Sequence, residues 1–271
     1  MLMAIGLDPK RSIIFHQSDV PAHAELMWIL SCQASTGYLG RMTQWKDKTA
    51  GERENSEKLK LGLFSYPVLM AADVLVHGAT HIPVGHDQAQ HLEFAREVAN
   101  GFNHIYDTEV LVPPETLISP AKRVMSLTDP AMKMSKSHAN PKSRILLTDT
   151  QEVIRAKIKA AVTDSLGDVT YEPERRSGVS NLVNILYHTE EHSTFANAGD
   201  LAKELRGQSM RALKDLVSQA VATSLKPIRE RYEQLVQDET TLTRAAAEGA
   251  DKAADNAAKT MSKVKRAIGL S

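Results

Sequence analysis

The chain has little of what marks secreted or membrane proteins. Its 271 residues include one cysteine, Cys32, which excludes an internal disulfide framework and is typical of a reducing compartment. No apolar run approaches the roughly 20 residues of a membrane span. The formal net charge is zero, so any contact with nucleic acid must come from local basic patches. Cys32 follows an apolar run over 26–30, and we therefore expect a packed thiol rather than a nucleophile.

The N-terminus lacks the pattern of a targeting peptide. Residues 1–7, MLMAIGL, resemble neither a signal nor a transit peptide. They are typical of the end of a helix that enters a Gly-Leu-Asp-Pro turn. We therefore expect that a segment preceding this sequence is absent from it.

The first half of the chain has the order of an α/β protein. Hydrophobic content of 42% and a length of 271 residues allow one large core or two domains. The pattern predicts a buried strand over 11–17, a helix capped by Ser18 or Asp19, an exposed loop over 46–60, a helix over 68–75, a strand over 81–84 and a helix from an Asp87 cap to about Phe102. Helix, strand, glycine turn and helix in this order indicate a parallel sheet, whose ligands bind at the carboxyl ends of its strands.

The second half is predicted to be helical. Asp149 and Glu152 form a D-x-x-E capping pattern, after which Ile154, Ile158 and Val162 follow at helical spacing. Further helices are predicted over 181–188, over 210–236 with a bend at Pro227, and over 240–268. The boundary between the two halves is expected between residues 140 and 150.

Two segments of the first half could bind a small ligand. Asp73 lies among apolar and small residues of a predicted helix, so its half-buried carboxylate needs either a protein donor or a ligand N–H. Gly85 lets the backbone approach a ligand closely, and the helix that starts at Asp87 presents N–H groups to an anion. A helix N-cap is an equally simple role for Asp87.

A third segment, Lys133-Met134-Ser135-Lys136-Ser137, has the composition of a phosphate-binding loop. Two lysines flank small hydroxyl residues, so mobile cations and rotatable donors can hold a polyphosphate. A solvated polar loop before a helix is the plain alternative for this segment taken singly.

Taken in this order, the three segments resemble class I aminoacyl-tRNA synthetases, and specifically the tryptophanyl-tRNA synthetases of bacteria and organelles. The resemblance extends along the chain through residues 18–26, 41–46, 161–165 and 178–182. It implies an α/β fold: an N-terminally truncated Rossmann-like parallel sheet domain over 1–145 that ends in the lysine loop. An all-helical domain over 146–271 follows, expected to bind the tRNA anticodon, with its last helix a candidate for packing back on the catalytic domain.

The resemblance also implies site roles. Asp73 would accept the indole N–H, and the expected tryptophan-binding residues are Asp73, Tyr66, Met70 and Gln88. The expected ATP-binding residues are Gly85, His86, Asp87, Val124, Lys133, Met134, Ser135, Lys136 and Ser137, of which Lys133, Ser135, Lys136 and Ser137 are the expected catalytic group. ATP would carry Mg²⁺ on its phosphates, and no protein-bound metal is expected.

The implied partners are L-tryptophan, ATP, tRNA(Trp) and a second copy of the chain, with no membrane. The helix over 21–32 is the candidate dimer surface, and the pair Arg175 and Arg176 is a candidate contact for the tRNA. The compartment would be the mitochondrial matrix in a eukaryote or the cytoplasm in a bacterium.

The chain departs from the family pattern in two places. His86 stands where the family has glutamate, and the N-terminal strand with its HIGH-type motif is absent from the sequence. Two alternatives therefore stay open: a non-catalytic fragment that dimerises or binds tRNA, and a tyrosyl-tRNA synthetase.

Overall fold

The computed structural model describes residues 1–49, 59–118, 124–136, 138–189 and 195–270. In these ranges the α-helices are α1 (Ala22–Ser31), α2 (Thr36–Leu39), α3 (Thr43–Thr49), α4 (Leu61–Leu75), α5 (Ala89–Ile105), α6 (Gln151–Lys159), α7 (Ser177–Thr189), α8 (Ala198–Glu204), α9 (Met210–Gln237) and α10 (Glu239–Ala267). The strands are β1 (His81–Val84) and β2 (Glu115–Ile118), and short 3₁₀ helices cover Gln17–Asp19, His86–Gln88 and Pro141–Ser143.

The chain divides into two compact units. One, here the αβ unit, joins Pro9–Pro120 to Thr240–Ser271, so it is built from two separate stretches of sequence. The other, here the helical unit, joins Met1–Asp8 to Ala121–Glu239. The predicted assignment of roles to residues 1–145 and 146–271 stays a prediction.

The αβ unit contains a parallel β–α–β motif. β1 pairs with β2 in parallel, with His81 opposite Glu115 and Val84 opposite Ile118. The connection runs through α5, which buries one face containing Leu92, Phe94, Ala95, Val98, Ala99 and Phe102. Parallel strands require such a helical crossover, because a tight turn cannot join them. The predicted strand over 81–84 is confirmed.

The core of the αβ unit is closed by the last helix. Leu26 and Leu30 of α1 and Leu75 of α4 are fully buried, together with Ala253, Ala257, Met261 and Val264 of α10. Gly249 of α10 permits a close approach, because a Cβ there would lie 1.9 Å from the carbonyl oxygen of Ile14. The backbone at Ile14 therefore passes directly against α10.

The helical unit has its own core of α6, α7, α8 and α9. Its fully buried side chains include Ile154, Ile158, Leu182 and Leu213. Thr150, not Asp149, caps α6 through its hydroxyl, which accepts from the Val153 N–H. Asp149 instead accepts from the backbone N–H of Leu146 and from Lys157. Val162 lies beyond α6 and is half-exposed.

Arg176 ties together the loop before α7. It is 5% exposed and donates Nε and Nη2 to the two carboxylate oxygens of Asp164, at 2.8 and 2.7 Å. Its Nη1 donates to the carbonyl of Asp168 and to the hydroxyl of Thr170. Arg175 and Arg176 were the candidate contact for the tRNA. Arg176 is buried in these contacts and is not part of the surface, whereas Arg175 is exposed.

The strand predicted over 11–17 is wrong. These residues form irregular backbone followed by the 3₁₀ helix Gln17–Asp19. Within the described ranges the sheet consists of β1 and β2, so the apolar run has no neighbouring strand to pair with. The run is only partly buried: Ile13 is 51% exposed, whereas Phe15 packs on the αβ core.

Several helix starts also differ from the prediction. Pro21, rather than Ser18 or Asp19, precedes α1, and Asp87 lies in a 3₁₀ turn ahead of α5, which begins at Ala89. The helix predicted over 68–75 begins earlier, at Leu61, and contains Pro67. α3 extends to Thr49 inside the predicted loop over 46–60, of which residues 50–58 lie outside the described ranges. The helices predicted over 181–188, 210–236 and 240–268 are confirmed within α7, α9 and α10.

Two side chains at the end of α1 are exposed. Cys32, which follows the helix and was expected to be packed, is exposed, and Trp28 is 72% exposed. They are four residues apart and so lie on the same outward face. Trp45, by contrast, packs edge-on against Phe64. No helix in the described ranges has the length and apolar character needed to cross a membrane.

Candidate active site

Asp73 lies on α4 with two protein donors on one oxygen. Gln17 Nε2 donates to its Oδ1 at 2.6 Å, and His23 Nδ1 lies 2.8 Å from the same atom. The carboxylate is 34% exposed, whereas the His23 side chain is 6% exposed. Among the described residues, no hydrogen bond reaches the second oxygen, Oδ2. Asp73 therefore keeps an acceptor for a further donor.

Tyr66 and Met70 lie on the same face of α4 as Asp73. The spacing of four and three residues places them one above the other on the helix, and all three are half-buried. The opposite face of α4 packs into the core through Val68, Ala71, Ala72 and Leu75. The structure thus brings together the three tryptophan-binding residues that were expected on this helix.

The Tyr66 hydroxyl joins a small polar network. It donates to Gln44 Oε1 and lies 3.0 Å from His91 Nε2 on α5. Because the phenol has one proton, which goes to Gln44, the imidazole Nε2 carries the hydrogen that reaches Tyr66. Burial raises the pKa of Tyr66 and lowers the pKa of His91, although Asp87 acts against the shift at His91. Both side chains are therefore neutral near pH 7.

The segment from Gly85 to Gln88 connects β1 to α5. Gly85 has φ −70° and ψ 156°, which any residue can adopt, so its backbone conformation does not require glycine. Glycine is favoured at this position because any other residue would place a Cβ 2.7 Å from Asp87 Oδ1, which is too close. Gln88 Nε2 donates to Asp87 Oδ2 at 3.0 Å, and His86 is exposed. The Asp87 carboxylate is thus folded back over Gly85.

The lysine loop belongs to the helical unit, and backbone contacts anchor its base. Met125 bridges to Lys133, and the N–H of Met134 donates to the carbonyl of Val124 at 3.0 Å. Asn181 of α7 holds the Met125 backbone from both sides, accepting from its N–H and donating to its carbonyl. This fixes the base of the loop, while the side chains of Lys133, Ser135 and Lys136 are exposed. Ser137 lies outside the described residues.

Val124 and Met134 line a cavity of ≈ 310 Å³. Its other walls are mainly apolar side chains of α7 and α9, with Asn181, Asn184 and His188 among them. A mostly apolar cavity with a few polar groups is typical of a small-molecule site. Met134 of the lysine loop and Val124, both expected to bind ATP, therefore border the same cavity.

The expected residues fall into two sets. Asp73, Tyr66, Met70, Gly85, His86, Asp87 and Gln88 belong to the αβ unit, and Val124 with 133–136 belongs to the helical unit. The sequence prediction missed Gln17, His23, Gln44 and His91, all of which hold an expected site residue. Gln17 directly precedes the stretch 18–26 that carried part of the resemblance, and His23 lies within it, which was the available signal. No group of three or more histidine, cysteine or acidic side chains in the described ranges could hold a metal ion.

Comparisons with known proteins identify the family. Residues 1–226 match the model of tRNA synthetases class I (W and Y). The chain is 40% identical to the mitochondrial tryptophan–tRNA ligase of Schizosaccharomyces pombe over 281 residues, covering 100% of the chain and 77% of that protein. It is 42% identical to the tryptophan–tRNA ligase of Bacillus subtilis over 270 residues, covering 100% of the chain and 79% of that protein.

Solved structures agree with the sequence matches. The tryptophanyl-tRNA synthetase of Mycoplasma pneumoniae superposes with a TM-score of 0.86 at 30% identity, covering 100% of the chain and 80% of that structure. The enzyme of Campylobacter jejuni, complexed with ADP and tryptophan, gives 0.79 at 31% identity over 99% of the chain and 80% of that structure. The predicted fold class is confirmed, and the chain belongs to the class I tRNA synthetases of the tryptophan and tyrosine type, among relatives named as tryptophan–tRNA ligases.

Proposed function

We propose that this chain is a tryptophan–tRNA ligase, which activates L-tryptophan with ATP and transfers it to tRNA(Trp). In the first step a carboxylate oxygen of tryptophan attacks the α-phosphorus of ATP, and pyrophosphate leaves. In the second step a ribose hydroxyl of the tRNA attacks the adenylate carbonyl, and AMP leaves. Both steps depend chiefly on positioning and charge stabilisation.

The observation that supports tryptophan is the arrangement at Asp73. An ionised carboxylate only accepts hydrogen bonds, and the indole nitrogen only donates. Gln17 and His23 occupy Oδ1, so the carboxylate is held in one orientation while Oδ2 receives no donor from the described residues. A site whose carboxylate accepts a hydrogen bond from the substrate rejects an analogue of the same shape that lacks the N–H, because the acceptor would then be left without a donor.

Phosphate chemistry is assigned to the lysine loop. Lys133 and Lys136 are exposed beside a cavity that Val124 and Met134 line. Their ammonium groups would stabilise charge that develops on the leaving pyrophosphate, with Ser135 and Ser137 supplying hydroxyl donors. Gly85, His86 and Asp87 would contact the adenosine. Tyr66, Met70 and Gln88 would form the wall of the tryptophan pocket.

Magnesium would arrive on the ATP phosphates. The described residues offer no cluster of three ligating side chains, and Mg²⁺ in nucleotide enzymes is bound mainly by substrate phosphates and water. Its chemistry when bound is to offset phosphate charge.

ATP–pyrophosphate exchange with tryptophan and with tyrosine tests the proposal on this chain. We expect exchange with tryptophan and none with tyrosine. Exchange with tyrosine alone would overturn the substrate assignment, and exchange with neither would favour the non-catalytic alternative. Lys136→Ala should lower the exchange rate at least tenfold with little change in tryptophan affinity, because the loop acts on the transition state. Lys142→Ala is the matched control, an exposed lysine outside the loop.

We also propose that α1 forms part of a homodimer interface. Trp28 is 72% exposed on a face that also carries Cys32, and a large exposed aromatic side chain is typical of an interaction surface. Trp28→Glu should convert the dimer to a monomer in sedimentation at micromolar concentration. Leu61→Glu, at a residue 78% exposed outside α1, should leave the dimer intact. A monomeric parent chain would contradict this.

The remaining roles follow from the relatives. The tRNA anticodon would be bound by the helical domain predicted over 146–271, where Arg175 is exposed. The compartment would follow the source, since the relatives include mitochondrial enzymes of yeasts and enzymes of bacteria.

A further inference from the structure

A chain of hydrogen bonds connects Asp73 to the last helix. His23 Nδ1 lies 2.8 Å from Asp73 Oδ1, and His23 Nε2 lies 3.3 Å from His77 Nε2. On its other side His77 Nδ1 lies 2.9 Å from Oδ1 of Asn256 on α10. The path from the carboxylate to α10 therefore runs through both nitrogens of two imidazole rings.

The two rings are held in place by packing. His23 is 4% exposed, and His77 and Asn256 are half-buried. The ring centroids of His23 and His77 are 5.0 Å apart, and Phe15 covers both rings at 5.8 and 5.6 Å. α10 is itself fixed by its buried residues 253, 257, 261 and 264 in the αβ core. His77 therefore links Asn256 directly to His23.

The orientation of the Asn256 amide sets how many protons the pair of rings carries. With Oδ1 facing His77, the Nδ1 of His77 must donate, the Nδ1 of His23 must donate to Asp73, and one proton lies between the two Nε2 atoms. This arrangement of hydrogen bonds needs three protons on the two imidazoles. With the amide turned, its NH₂ donates to His77, and two protons then satisfy the chain with both rings neutral.

Asp73 supplies the charge that faces these rings. It approaches from α4, while α10 contributes the neutral Asn256, the 3₁₀ turn contributes the neutral Gln17 and the segment before it contributes Phe15. The charge state of the pair is therefore controlled by one carboxylate at one end and one amide at the other.

We propose that Asn256 is a positioning residue for Asp73: by accepting from His77 it keeps Nδ1 of both rings as donors, and the donor at His23 fixes the carboxylate that receives the indole N–H. This inference rests on the proposed role of Asp73. It places a determinant of tryptophan selection on α10, separated from the substrate by three residues (Asp73, His23 and His77) and outside the pocket wall.

Tryptophan binding by calorimetry tests the proposal with two variants of opposite chemistry. Asn256→Leu keeps the approximate size and removes the acceptor, whereas Asn256→Asp keeps an acceptor and cannot present a donor. We expect the leucine variant to bind tryptophan about three- to tenfold more weakly, the effect of about one hydrogen bond, and the aspartate variant to bind within about twofold of the parent. The analogue with sulfur in place of the indole N–H should bind all three proteins equally. Ala258→Asp, exposed on α10, controls for added charge.

Nuclear magnetic resonance tests the hydrogen-bond chain from Asp73 to Asn256 without any substrate. The ¹⁵N shifts of the imidazole nitrogens at a fixed pH give the protons that His23 and His77 carry, and we expect three in the parent and in Asn256→Asp and two in Asn256→Leu. Unchanged ring shifts in Asn256→Leu, or an equal loss of affinity for tryptophan and the sulfur analogue, would overturn the inference.

Asp73→Asn separates the two proposals. If this substitution leaves tryptophan affinity unchanged, the proposed role of Asp73 fails, and the ring shifts still decide whether Asn256 controls the histidines. If it weakens tryptophan binding while Asn256→Leu does not, the proposed function stands and the positioning role of Asn256 is wrong.

Discussion

Replacing Arg176 with methionine should destabilise the helical unit more than any surface substitution nearby. The arginine is 5% exposed and makes two parallel hydrogen bonds to Asp164, at 2.8 and 2.7 Å. It also donates to the carbonyl of Asp168 at 2.7 Å and to Thr170 at 2.8 Å. Methionine fills part of the volume and satisfies none of these acceptors.

The expected loss is about 3 kcal/mol in the free energy of unfolding. Removing one partner of a buried ion pair costs roughly 3–5 kcal/mol, because the other charge is left without compensation. The Asp164 side chain is 32% exposed, so water can solvate it in part, which places the loss near the lower end. Arg176→Lys keeps the charge but not the two-pronged geometry, and about half of that loss is expected.

Urea unfolding followed by circular dichroism measures these differences. Arg175→Met is the matched control, since the neighbouring arginine is exposed, and its change should stay within about 0.5 kcal/mol. Arg176 lowers the pKa of Asp164 below its ordinary 3.8, so this stabilisation is present above that value and is lost as the pH falls below it. The two proteins should therefore converge in stability at low pH. Equal losses in the Arg175 and Arg176 variants at neutral pH would refute the reasoning.

Three further predictions concern the αβ unit. Gly249→Ala should cost about 1–3 kcal/mol despite the better helix propensity of alanine, since the new Cβ would collide with the Ile14 carbonyl; an increase in urea midpoint would contradict this. His91→Gln should reduce the loss of stability that occurs between pH 7 and 5. Burial lowers the pKa of His91 in the folded state, so in this range the unfolded chain takes up a proton that the folded chain does not. Melting temperatures measured across this pH range test the prediction, and an unchanged slope would argue against a neutral His91. Tyr66→Phe should cost about 1–2 kcal/mol through the unpaired partners of its hydroxyl, with Phe64→Leu as a packing control.

The sequence patterns correctly predicted those features of the fold that depend on interactions between residues close in sequence. The strand over 81–84 and the long helices follow from periodicity and propensity, and the side chains on the Asp73 face of α4 follow from helix geometry. The strand over 11–17 was wrong because an apolar run alone does not say whether a neighbouring strand exists. Similarly, Thr150 rather than Asp149 caps α6 because Asp149 has a better partner in Lys157, eight residues away.

The relay at Asp73 could not be predicted from spacing. His23 and Asp73 are 50 residues apart and His77 and Asn256 are 179 apart, so only the fold brings them into contact. Asp73 itself was found because a carboxylate among apolar neighbours is conspicuous in sequence. His23, His77 and Asn256 are neutral or weakly basic residues in ordinary sequence contexts, so nothing in the sequence identifies them as partners of Asp73.

The divided sequence of the αβ unit has a consequence for its synthesis. A ribosome completes residues 9–120 and then the whole intervening stretch before it makes the residues of α10 that fill the core. Until Ala253 and Val264 emerge, the apolar faces of α1 and α4 have no cover from this helix. The growing chain therefore carries an unfinished core while the helical unit is made, and the contact between His77 and Asn256 forms only after α10 has been synthesised.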